Sequence, residues 1–504
     1  MKSLSVLFII SILFAYNFLS VFSYEDWLSF GGTGENNINN NRNSDAENII
    51  SPENVGSLKV KFIIPVESSV SATPVTFQNN VYFPDWAGFL YSANSRTGEI
   101  NWKINITKTY FPQPGPNVIS RTTLAIDPKE KLIVFGTQSP LLDGGSGFVI
   151  AVDLYGNLVW RILIDDHPNA IITQSPTIFD NAVYIGVSSN EESAAYLGAV
   201  CCTFRGSFTK LDLKTGKIIW RTFMAPDNYG RSDLYSGNAV WGSAPAIDPI
   251  KKLVYIATGN NYEIPKNVTN CINNATTPEG KLACHDPKNF LDSILALDIE
   301  NGNVKWVQRL SGYDSWNAAC ITSPNAPNCP DPTGDDFDFA QAPLLVNACF
   351  KPNDCLLLAI ATSKSGKSWA LDAATGKIIW SVTSGPGSRN GGSMFGSATN
   401  GRQYFVSQSN GLNETYVLTK PSPKSQPATF GGAIVAIDIL TGEILWQTAN
   451  PSQDAENGNI LLDFVTGATV GCGPSIVDGI VYAGSGYERF FTGVNNTKLF
   501  ALSL

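Results

Sequence analysis

The chain has 504 residues, of which 43% are hydrophobic, 11% aromatic and only 15% charged, with 44 Gly and 29 Pro. It is too long for one small core, and too apolar and turn-rich for a disordered segment. With 34 basic against 43 acidic residues and a net charge of -9, no basic face is available to neutralise phosphates, which argues against a nucleic-acid partner. Two His leave little scope for imidazole metal sites or a His general base, so any catalysis rests on carboxylates, amides or a cofactor.

Residues 1–23 read as a signal peptide. An apolar stretch from Leu4 to Tyr16 follows Lys2, and Val21 and Ser23 suit the cleavage positions, so the mature chain is expected to start at Tyr24. No later apolar run is long enough to span a bilayer. Export to the outside or to a secretory vesicle is the expected localisation. Five Asn-x-Thr triplets (Asn105, Asn267, Asn274, Asn413 and Asn495) agree with a glycosylating route. Residues 24–55 form a polar lead-in whose Asn-rich tract, NNINNNRN, reads as flexible and without chemistry of its own.

From residue 56 onward one pattern dominates. LYSANSRTGEINW, IAVDLYGNLVW, TKLDLKTGKIIW, LALDIENGNVKW, WALDAATGKIIW and VAIDILTGEILW end at Trp102, Trp160, Trp220, Trp306, Trp380 and Trp446. Each reads as a strand, a tight turn with Asp and a positive-φ Gly, and a second strand closed by an indole. A further pair of strand signals precedes most of them, as in SPTIFDNAVYIGV and CGPSIVDGIVYAGSG, giving four strands per unit. The fold class is therefore all-β, a single β-propeller over 56–504 with seven blades counted and an eighth allowed if a degenerate unit hides in an insertion. The last strand signal, KLFALSL, lacks its outer partner, which SLKVKF supplies with Phe62 at the Trp position, so the chain ends are expected to pair and close the ring.

Nine Cys in an exported chain point to disulfides. Local pairs Cys271–Cys284, Cys320–Cys329 and Cys349–Cys355 are favoured, although exchange between neighbouring loops is equally compatible with the spacing; Cys201 and Cys202 are adjacent and Cys472 is left over.

The ordered landmarks DWLSFGG, YFPDWAGFLYS, CCTFRGS, AVWGSAPAID, TGNNY, GYDSWNAAC, DFDFAQAPLL, TSKSGKSWALD and GGSMFGSATNG resemble the pyrroloquinoline quinone (PQQ) dependent alcohol dehydrogenases, and within them the polyvinyl-alcohol-dehydrogenase-like branch. That resemblance implies PQQ on the propeller axis over Ca²⁺, an alcohol substrate (small or polymeric) oxidised to a carbonyl, and an external electron acceptor, since no Cys-x-x-Cys-His haem motif occurs. It implies Glu191, Asn260 and Asp314 as metal ligands, with Asp314 also able to take the substrate hydroxyl proton. Trp241 becomes the aromatic floor under the quinone, and Arg121, Thr173, Ser175 and Lys364 the donors to its oxygens, Lys364 also acting in catalysis. Cys201 and Cys202 become a lid over the cofactor, although in most of the family the adjacent pair lies earlier in the chain. The competing reading is a non-catalytic propeller of the same ancestry, acting as an extracellular or vesicular scaffold.

Overall fold

The computed structural model describes residues 26–34, 36–44, 47–141, 144–352, 354–389, 391–412, 414–423, 425–449, 466, 473–488 and 496–504. The signal peptide, Asn413, Cys472 and Asn495 lie outside them.

Seven antiparallel sheets built on four strands are arranged as propeller blades. Blade 1 is Val75–Phe77, Asn80–Pro84, Phe89–Asn94 and Ile100–Asn105; blade 2 is Ala125–Asp127, Leu132–Gly136, Phe148–Asp153 and Leu158–Leu163. Blade 3 is Thr177–Phe179, Ala182–Ser189, Ser207–Asp212 and Ile218–Phe223, and blade 4 is Ala246–Asp248, Leu253–Ala257, Ser293–Asp298 and Val304–Arg309. Blade 5 is Leu344–Lys351, Asp354–Thr362, Lys367–Asp372 and Ile378–Thr383; blade 6 is Ala398–Thr399, Gln403–Gln408, Ala433–Asp438 and Ile444–Ala449. In blade 7, Ser475–Val477, Ile480–Gly484 and Lys498–Ser503 are completed by Lys59–Pro65 from the other end of the chain. The pairing runs from Lys59 opposite Ser503 to Pro65 opposite Lys498, so the expected closure is present and the described residues form seven blades.

The repeat pattern holds the blades to one another. The indole N–H of five of the six closing Trp residues donates to a backbone carbonyl of the following blade: Trp102 to Leu154 (3.1 Å), Trp160 to Leu213 (2.8 Å), Trp220 to Ile299 (3.1 Å), Trp306 to Ala373 (3.0 Å) and Trp380 to Ile439 (2.8 Å), whereas the buried Trp446 N–H makes no such bond among the described residues. The ring lies under the turn glycine of that next blade. At Gly302, where φ is +73°, an added Cβ would sit 2.6 Å from the Trp220 ring, so glycine is required both by the backbone and by the indole. Phe62 occupies the equivalent place beneath Gly98, keeping the packing but not the N–H.

The Asn-rich tract differs from its expected looseness. Asn36–Asn39 forms a short helix packed against the innermost strands of blades 3, 4 and 5, and the Asn40 side chain donates to the carbonyl of Pro343 at 3.3 Å. Trp27 is buried, with its backbone N–H on the Thr76 hydroxyl at 2.9 Å. The Asn40 amide thus satisfies a backbone carbonyl at the entry to the inner strand of blade 5.

Two insertions and one strand hairpin carry the local disulfides. Cys271–Cys284 ties the helices Lys266–Asn274 and Pro278–Ala283, Cys320–Cys329 closes the loop after blade 4, and Cys349–Cys355 staples the first hairpin of blade 5. All three pairs are those favoured from locality, and the adjacent Cys201 and Cys202 form a fourth bridge.

Two substitutions test the docking interaction. Trp220→Phe is expected to lower stability by about 1–2 kcal/mol through the lost hydrogen bond. Gly302→Ala is expected to cost about 2–4 kcal/mol, from left-handed strain and overpacking together. Both are measured by urea unfolding of purified protein, and an unchanged midpoint for Gly302→Ala would contradict the packing described.

Candidate functional site

The inner ends of blades 2 to 5 and their insertions enclose a cavity of about 330 Å³, whose wall includes Arg121, Glu192, Trp241, Asp336, Lys364 and Arg389. A smaller chamber of about 40 Å³, walled by Arg121, Thr173, Ser175, Trp241, Phe395 and Phe30 among others, adjoins it. Arg121 and Trp241 belong to both walls, so they join the two spaces.

Lys364 is the electrostatic centre. It sits in the turn between two strands of blade 5, buried, with its ammonium 2.8 Å from Asp336 Oδ1 and 2.7 Å from Asp338 Oδ1. Burial acts to lower its pKa, but the Asp336 and Asp338 carboxylates outweigh it and hold Lys364 above the ordinary lysine range, in its charged form. Lys364 Nζ lies 5.4 Å from the centroid of the Trp241 ring, and the Trp241 indole N–H donates to Asp338 Oδ2 at 2.7 Å. Floor and ammonium are therefore built as one cluster.

Acidic groups outnumber this cation. Asp292, Asp314, Asp336 and Asp338 are all buried and sense one another's charge. Burial pushes Asp292 well above the usual carboxylate range, reinforced by Asp314, Asp338 and Asp336. Burial also carries Asp314 up to about 7, against the pull of two backbone N–H donors.

Asp314 lies behind the cavity wall. Its Oδ1 accepts from the backbone N–H of Asp336 at 3.1 Å and its Oδ2 from that of Phe337 at 2.6 Å. Those two bonds clamp the loop in which Asp336 adopts a left-handed φ of +59°, a conformation disfavoured for a side chain with a Cβ but tolerated by Asp. The clamp turns Asp336 toward Lys364 and the cavity.

Asn260 and Asp314 are brought together: the Asn261 N–H donates to the Asp314 carbonyl at 3.1 Å, and the Asn260 amide donates to the carbonyl of Trp316 at 2.9 Å. Glu191 begins the short helix Glu191–Ala194, and its two oxygens accept from the backbone N–H groups of Thr203 and Phe204, each at 2.8 Å. It ties down the segment that carries Cys201 and Cys202, while its neighbour Glu192 is the one that reaches the cavity. Cys201, Cys202 and Trp241 share one hydrophobic cluster. Asp336, Asp338 and Glu192 were not singled out in the sequence, although DFDFAQAP and NEES contained them.

Behind Asn260 a buried amide lattice supports the loop. Asn261 Nδ2 donates to Asn238 (2.6 Å) and Asn289 (3.0 Å), and Asn289 Nδ2 returns a bond to Asn261 (2.9 Å) while contacting His285 Nδ1 (3.1 Å). Burial, aided by the charge of Arg309, lowers the His285 pKa to about 4.

These features define a class, the propellers that seat a ligand in a polar pocket at the hub. The chain belongs to the family described as glucose/ethanol/alcohol dehydrogenase, beta-propeller domain (PQQ), whose model matches residues 36–393; a second model, outer membrane protein assembly factor BamB, matches residues 352–498. Polyvinylalcohol dehydrogenase from Pseudomonas sp is 27% identical over 453 residues, covering 87% of this chain and 62% of that protein. The polyvinylalcohol dehydrogenase of Sphingopyxis sp. (strain 113P3) is 25% identical, covering 87% and 61%. The chain thus spans about three fifths of the length of these curated relatives. Quinohemoprotein alcohol dehydrogenase from Comamonas testosteroni superposes with a TM-score of 0.60 at 17% identity, covering 95% of this chain and 80% of that one. A europium-containing methanol dehydrogenase gives 0.57 at 16%, covering 92% and 82%.

His285 supplies a pH test. Its folded pKa, about 4, lies below the ordinary 6.5, so the neutral form favours the fold. Stability is fully present above pH 6.5 and is expected to fall by about 3 kcal/mol as pH drops from 6.5 to 4. Urea unfolding across that range should show the loss, and His285→Gln should flatten it.

Proposed function

We propose that the protein is an exported quinoprotein dehydrogenase that oxidises an alcohol to a carbonyl and passes the electrons to an external acceptor. The observation that carries this reading is the buried Lys364, paired with Asp336 and Asp338 and facing the Trp241 indole across one axial cavity.

The donor set fits a flat, carboxylate-bearing cofactor. Thr173 Oγ1 and Arg121 Nε are buried without a hydrogen-bond partner, in the chamber where such carboxylates would need donors. Arg121, Thr173 and Ser175 would hold those groups, Trp241 would lie under the ring, Lys364 would meet a ring oxygen, and the Cys201–Cys202 bridge would cover the other face. Bound PQQ supplies a two-electron acceptor for the hydride leaving the carbinol carbon. Carboxylates on a cavity wall that holds no His or Cys among the described residues suit Ca²⁺ better than zinc. Asp336 and Glu192 on the cavity wall, with the Asn260 amide behind them, support that cation; Glu191 and Asp314, the expected ligands, have both carboxylate oxygens on backbone N–H groups.

On this reading the carboxylate of Asp336 receives the hydroxyl proton of the substrate, because it faces the cavity and burial pushes its pKa well above the usual carboxylate range, against the opposing pull of the Lys364 ammonium. Asp314 holds the loop that aims it. At the mouth Tyr196 and Ile321 are 51% and 60% exposed, which suits the carbon chain of an alcohol, including a polymeric one.

The test is reconstitution of purified protein with PQQ and Ca²⁺, followed by reduction of an artificial dye with a panel of alcohols. Asp336→Asn is expected to lower kcat about 100-fold or more while quinone binding is retained. No dye reduction by the unsubstituted protein, together with no calcium-dependent quinone binding, would reject the reading.

Export predicts where glycans attach. Asn267 and Asn274 are exposed on the helix Lys266–Asn274, whereas Asn105 caps a helix by accepting from the Lys108 N–H at 2.8 Å and Thr107 donates to Val118. Peptide mass spectrometry of protein from its native host should find glycan at Asn267 and Asn274 and none at Asn105. Among the described residues no helix is long and apolar enough to cross a membrane.

A further inference from the structure

We infer that Asp338 is a positioning residue that couples the Trp241 indole to the Lys364 ammonium, so that the two groups facing the cofactor move and bind as one unit. The inference rests on the quinone-binding reading above.

One carboxylate serves both partners. Asp338 is buried, its Oδ2 accepts the Trp241 indole N–H at 2.7 Å, and its Oδ1 lies 2.7 Å from Lys364 Nζ. Its backbone carbonyl also accepts the Lys364 N–H at 3.0 Å, fixing the root of that side chain as well as its tip. Space for this arrangement is provided by Gly259, where an added Cβ would sit 2.8 Å from Asp338 Oδ2. Asp336 also pairs with Lys364 but makes no bond to the indole, so among the described residues Asp338 is the carboxylate that bonds both the floor and the cation. A charge-assisted bond to an indole N–H restricts ring tilt, and a buried ion pair restricts the lysine; sharing one acceptor makes each restraint depend on the other. Asparagine could still accept one N–H but carries no charge for the ammonium.

The readout is quinone affinity of the calcium-loaded protein, titrated with PQQ, in a double-substitution cycle of Trp241→Phe and Lys364→Met. With Asp338 present the two changes are expected to be non-additive by about tenfold in Kd; in Asp338→Asn and Asp338→Ala backgrounds they should become additive. Asp338→Asn alone should weaken binding and shift the Trp241 indole ¹H–¹⁵N resonance of the cofactor-free protein, identified by its loss in Trp241→Phe. Persistent non-additivity without Asp338, or an unmoved indole resonance, would overturn the coupling while leaving quinone binding intact. Failure of the unsubstituted protein to bind PQQ would instead overturn the reading of the site, and the role of Asp338 with it. Asn is the variant of record where Ala does not fold.

Discussion

The ring depends on one repeated contact, an indole N–H reaching the backbone carbonyl of the next blade beneath a glycine turn. A four-stranded sheet has two faces and an inner edge to bury, and each blade solves this by giving its neighbour a large flat ring and a directed hydrogen bond. Because the contact recurs with the same partners, the blades take a common tilt and their innermost strands converge on one axis. Everything at the hub inherits its geometry from this outer belt.

Convergence creates an electrostatic problem that the site then uses. Four buried carboxyl groups lie near one ammonium, in surroundings where uncompensated charge is costly. The protein offsets part of that cost with two backbone N–H donors to Asp314, and part with raised carboxyl pKa values. The Thr173 hydroxyl and the Arg121 Nε, buried donors without a hydrogen-bond partner, together with the carboxylates on the wall of the adjoining cavity, are complementary to a ligand carrying both anionic and cation-binding oxygens.

Much of this was legible in the sequence. The Asp-x-x-Thr-Gly turn and closing Trp encode a hairpin whose period is local, so the blades and the pairing of the chain ends follow from it; Cys271, Cys320 and Cys349 find partners nearby because each loop is short. Trp241, Arg121, Thr173 and Ser175 converge because each lies shortly before an inner strand, and Lys364 joins them from the turn between the second and third strands of blade 5. The acidic residues were harder to assign. Between Trp316 and Asp336 an insertion separates two halves of the site, and nothing in DFDF signals that Asp336 takes a left-handed φ under the grip of Asp314. Which of two adjacent glutamates faces inward depends on where a four-residue helix begins, a matter of one peptide unit. The Asn tract was misjudged because composition reports solvation preference and is silent about inner strands that need amide partners.

The seam of blade 7 has a consequence for biogenesis. Residues 59–65 leave the ribosome early and wait for a mate, 498–503, that emerges more than four hundred residues later. Until then the nascent toroid is an open arc with two unpaired borders, and the pocket at its centre has an incomplete circumference. Loading of any prosthetic group that needs the whole circumference is thereby deferred until residues 498–503 have been made, which makes that strand a timing element as well as a clasp.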